Sequence, residues 1–93
     1  MPKGKRVLRQ LDYINKGDTL EFIRAVLYKN NWLAATGGKR VEVLLTGSEY
    51  TAIAFKKPVR NIHGQPARMW PSKGFKYCLL VSNTVLLDNC KKV

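Results

Sequence analysis

The chain has 93 residues, 45% of them hydrophobic and 25% charged, with 17 Lys and Arg against 6 Asp and Glu for a formal net charge of +11. This apolar content excludes general disorder, and the length predicts one domain over 1–93 with a modest core. No apolar run approaches the roughly 18 residues of a membrane-spanning helix, no apolar stretch follows the charged start Met1-Pro2-Lys3-Gly4-Lys5-Arg6 as a secretory signal requires, and two cysteines are too few for a disulfide framework.

Residues 1–6 read as a basic arm. Val7, Leu8, Leu11 and Ile14 fall at helical spacing and predict a short amphipathic helix over about 5–15, stopped at Gly17. Asp18 then reads as an N-cap with Glu21 three residues on, an acidic variant of the capping box. Leu20, Phe22, Ile23, Val26 and Leu27 form a wide apolar stripe and predict a second helix over about 19–31, weakened by Asn30 and Asn31 and ended at Gly37-Gly38.

After Gly38 the period becomes two. Arg40–Thr46 and Tyr50–Lys56 predict a hairpin across Gly47-Ser48-Glu49. The favoured register sets Val41 opposite Phe55 and Val43 opposite Ile53, because it separates apolar from polar faces. Residues 56–76 contain Lys56, Lys57, Arg60, Arg68, Lys73 and Lys76, three prolines, Gly64, Gly74 and no acid, which predicts a long basic loop. Phe75–Val81 and Thr84–Asn89 predict a second hairpin across Ser82-Asn83, apolar on both faces and therefore central. Cys78 and Cys90 fall on its opposite faces, unfavourable for a bond, and 91–93 is a short tail. The assembled expectation is α+β: two N-terminal helices packed on a mostly antiparallel sheet of about four strands, with the long basic loop between two hairpins.

Basic surface charges are often only solvated, but an almost three-fold excess of base, with one 21-residue segment free of acid, points to a polyanionic partner, DNA or RNA. Lys and Arg displace condensed counterions from phosphates, and the released ions drive binding. The candidate contacts are Lys56, Lys57, Arg60, Arg68, Lys73 and Lys76 in the loop and Lys3, Lys5, Arg6 and Arg9 in the arm. Such contacts carry no sequence information. His63, Trp70 and Trp32 are candidate stacking or interface groups. Burial competes for both tryptophans: Trp70, between Met69 and Pro71, would turn inward to anchor the loop, and Trp32 would join the core.

The same charges suit an accessory or inhibitor protein of phage or mobile-element type that docks on a host protein of nucleic-acid metabolism, where they would steer association. A small basic ribonuclease toxin would use His63 as general acid or base, with Glu42 or Glu49 and a phosphate-clamping Arg60 or Arg68. That motif is one residue deep, so the reading is binding without turnover, with no catalytic residue assigned. The chain has no Cys-x-x-Cys pair, Walker loop or Gly-x-Gly-x-x-Gly, so no metal or cofactor is expected. It also lacks an RNP signature and a recognisable helix-turn-helix. Unpaired cysteines suit a reducing, cytoplasmic setting without a membrane partner.

Overall fold

The computed structural model describes residues 14–93. All but the last two residues of the helix predicted over about 5–15 lie outside the described residues, as do Lys3, Lys5, Arg6 and Arg9.

Segment 19–31, whose apolar stripe predicts a helix, instead contributes to three strands: β1 (Thr19–Phe22), β2 (Val26–Tyr28) and β3 (Asn31–Ala34). Leu20 and Phe22 alternate into the core in β1, whereas Ile23 and Leu27, which complete the helical stripe on paper, are about half exposed. Asp18 caps no helix. Its carboxylate accepts from the Asn15 amide at 2.7 Å and pairs with Lys92, while Glu21 pairs with Arg40 and Lys91. The decisive local feature is Lys29-Asn30, both in the left-handed region (φ 48° and 66°), between the paired residues Tyr28 and Asn31. Two consecutive positive φ angles make a two-residue hairpin turn and cannot be accommodated in a right-handed helix.

The hairpin expected after Gly38 forms, as β4 (Arg40–Thr46) and β5 (Tyr50–Phe55). Val43 faces Ile53 as expected, but a bulge follows, and Leu45 rather than Leu44 pairs with Ala52. Leu44 is buried against Ala54 and Cys78, and Leu45 is exposed. The bulge thus sets two consecutive leucines against one partner residue.

The segment predicted as a long loop is organised instead. Its β6 (Arg60–Asn61) pairs with β3, the turn Asn61–Gln65 closes on its own hydrogen bonds, and Ala67 N–H returns to the Val59 carbonyl at 2.8 Å. Strand β7 (Trp70–Ser72) then pairs with β8 (Phe75–Ser82) across a second left-handed turn, Lys73-Gly74.

The second predicted hairpin is also corrected: β8 is followed by a helix, α1 (Asn83–Asn89), not a strand. Both sides of β8 are already occupied, by β5 and β7, so 84–89 has no edge there to pair with. Asn83 is buried and clamps the helix start: its amide Nδ2 donates to the Gly47 carbonyl at 2.8 Å, and its Oδ1 accepts from Thr51 at 2.6 Å. Leu86 is driven fully into the core, and the chain then runs as β9 (Cys90–Lys92) to the far edge, beside β1.

The fold is therefore mostly β rather than α+β. A six-stranded antiparallel sheet in the order β7-β8-β5-β4-β1-β9 and a three-stranded sheet β2-β3-β6 enclose one core, centred on Phe22, Leu33, Val43, Ile53, Val81 and Leu86. Cys78 lies on the far face of the large sheet and Cys90 packs against the main core; both are free thiols. Burial pushes both thiols up, Cys90 to about 12. Among the described residues, no helix is long and apolar enough to cross a membrane.

Candidate functional site

The arrangement of cations follows from strand direction. In an antiparallel sheet the start of one strand lies beside the end of its neighbour. Lys39-Arg40 open β4 and Lys56-Lys57 leave β5. Continuing the Glu42–Ala54 register brings Arg40 level with Lys56 and Lys39 level with Lys57. Successive side chains alternate faces, so this end of the sheet is basic on both sides.

On the side facing the small sheet, Lys39 is partly buried, with Nζ 5.4 Å from the centre of the Phe55 ring. Burial, and secondarily the nearby Lys57, hold its pKa below the ordinary lysine value. Lys39 and Arg60 share a cavity of about 500 Å³ with Trp32, Pro58, Val59 and Ile62. Trp32 and Arg60 are direct cross-strand partners on β3 and β6, and the Arg60 guanidinium is pinned by donating Nη1 to the Gly64 carbonyl at 2.9 Å. The remaining N–H groups of that planar head stay available as donors.

On the opposite side, Arg40 and Lys56 line a groove of about 260 Å³ with Thr19, Glu42 and Phe75. Lys76 lies level with Lys56 when the Phe55–Tyr77 register is continued by one residue. Lys73, in the β7–β8 turn, is held below the ordinary lysine value by Lys16 beside it.

The ion pairs among the described residues join only Asp18 or Glu21 to Arg40, Lys91 and Lys92. Lys39, Lys56, Lys57, Arg60, Lys73 and Lys76 have no carboxylate partner among the described residues. An anion placed beside Lys39 would offset both causes that disfavour its charge.

Of the residues singled out in the sequence, the structure gathers Lys56, Lys57, Arg60 and Lys76, with Trp32, around this end of the large sheet. Arg68 is exposed ahead of β7 and stands apart from both cavities. Trp32 and Trp70 are 39% and 41% exposed. Neither is the buried anchor that tryptophan size suggests: Trp70 sits on the edge strand β7, and Trp32, on the central strand β3 of the small sheet, alternates with the fully buried Leu33. His63 lies in the Asn61–Gln65 turn, where the Asn61 side chain accepts from the backbone amides of His63 and Gln65 at 2.8 and 3.0 Å. Glu42 accepts from Thr19 on the far face of the large sheet. Sequence reasoning missed Lys39, Arg40 and Lys16. The signal for the first two was available: the favoured register already sets Lys39-Arg40 against Lys56-Lys57.

Comparison of the chain with protein-family models, curated protein sequences and solved structures gives no match.

Proposed function

We propose that this chain is a small, basic, non-enzymatic nucleic-acid-binding protein that grips phosphate backbones with the cations gathered where β4 begins and β5 ends. The supporting observation is the juxtaposition of Lys39-Arg40 with Lys56-Lys57, extended by Arg60 on one face and Lys76 on the other. Like charges held this close repel one another, and a polyanion relieves that repulsion while releasing its own counterions. The free thiols of Cys78 and Cys90 favour a reducing, cytoplasmic setting.

The test is fluorescence anisotropy with labelled duplex DNA, single-stranded DNA and RNA over a range of salt concentrations. About five phosphate contacts on a duplex should give log K against log salt a slope near −4 to −5, and the double variant K56E/K57E should make it shallower by about 2. A slope shallower than about −1, or no binding to any of the three, overturns the proposal.

A second reading, docking on an acidic surface of a protein of nucleic-acid metabolism, is favoured by the exposure of Leu45, Leu80 and Trp70 on strands of the large sheet. Exposed apolar and aromatic groups are enriched at the centres of protein interfaces. Failure of all three polynucleotides would leave this reading standing.

A further inference from the structure

We infer that the Trp32 cavity receives one unpaired nucleotide, so that the protein takes single strands in preference to duplexes; this rests on the phosphate-binding reading above. A site for phosphates alone needs only an exposed basic surface, and the groove lined by Arg40 and Lys56 is of that kind. The cavity on the other face is built differently. It measures about 500 Å³, within the range of small-molecule sites. It is lined by the apolar Pro58, Val59 and Ile62, by the Trp32 ring and by two cationic residues, Lys39 and Arg60.

Each feature matches one part of a nucleotide. The Trp32 indole, 39% exposed on a short strand, presents a flat apolar face of the kind on which bases stack. Pairing with Arg60 across β3 and β6 sets the indole beside a guanidinium whose position is fixed by the Gly64 carbonyl. Lys39, partly withdrawn from water beside Phe55 and without a carboxylate partner among the described residues, supplies a second charge that a phosphate would complete. A duplex keeps its base faces stacked inside the helix, so only an unstacked base can fill such a space. Lys57, close to Lys39, continues the positive track on which an adjoining phosphate would run.

The test uses the full chain. In the W70F variant Trp32 is the only tryptophan, and its emission is followed on titration with a 12-nucleotide oligo(dT), a 12-base-pair duplex and AMP. The single strand should quench Trp32, and the duplex should not. By anisotropy, W32A should weaken single-strand binding about ten-fold while leaving duplex binding unchanged. W32F should keep most of the affinity, and K39M should weaken single-strand binding. Thermal melting of each variant checks folding, and if W32A does not fold, the Trp32 emission titration and W32F still decide. If W32A leaves single-strand binding unaltered, or weakens strand and duplex equally, the base does not enter this cavity and the inference is overturned, while phosphate binding stands. Quenching by AMP without quenching by the strand assigns the cavity to a free nucleotide and also overturns it. No binding to either polynucleotide removes both readings.

Discussion

Asn83 shows how much one polar side chain can hold. It is 4% exposed, yet its amide bonds to Gly47 and Thr51, tying the start of α1 to the β4–β5 turn and to β5. Neutral hydrogen bonds contribute modestly, but a buried group deprived of its partner bears the full desolvation penalty. N83A would strand the buried Thr51 hydroxyl and release the Gly47 carbonyl from the helix start. We expect a loss of about 2 kcal/mol in urea unfolding, whereas exposed Thr84, next along the helix, should tolerate Ala with little change.

At the scale of elements, two short hairpins rest on left-handed turns. Lys29-Asn30 joins β2 to β3, and Lys73-Gly74 joins β7 to β8. Gly74 has φ 86° and open space around the position a Cβ would take, so substitution there tests backbone strain without a steric clash. G74A should cost about 1 kcal/mol, read from the urea midpoint with the m-value unchanged. Both margins of the large sheet are protected against pairing with other chains. Edge strand β7 carries Pro71 within a register shift, and edge strand β9 carries Lys91 and Lys92.

At the scale of the molecule, the carboxylates in ion pairs among the described residues are Asp18 and Glu21. Asp18 is held below its ordinary 3.8 chiefly by the Asn15 amide, and Glu21 below its ordinary 4.5 chiefly by Arg40. The unfolded chain therefore takes up these protons first as pH falls. The stabilisation from both carboxylates is complete above their unfolded values and is lost as pH drops through the lower folded values. Protonation of the six acids also leaves 17 Lys and Arg unopposed. The melting temperature should hold from neutrality to about pH 5 and fall below about pH 4. E21Q should lower it at neutral pH and flatten the acid decline; an acid decline as steep as in the parent protein would remove Glu21 as a contributor.

Several features were legible in the residues alone. The β4–β5 hairpin and its register near Val43–Ile53 followed from period-two alternation, which is a local property of the chain. The excess of base was equally plain, since it is a sum over residues. The helix expected over 19–31 was misleading because Leu20, Phe22, Ile23, Val26 and Leu27 fit a helical stripe as well as two strands with exposed apolar residues beside them; the turn at Lys29-Asn30 decided between them. The strand expected over 84–89 became α1 because β5 and β7 flank β8, a fact about sheet order that no window of residues contains. What the chain determined by itself was thus alternation and charge. Only the tertiary structure decided which sheet edges were free, that Arg60 and Lys76 would join the cations of the β4–β5 hairpin, and that Trp32 and Arg60 would stand side by side, because each depends on pairing between strands far apart in sequence.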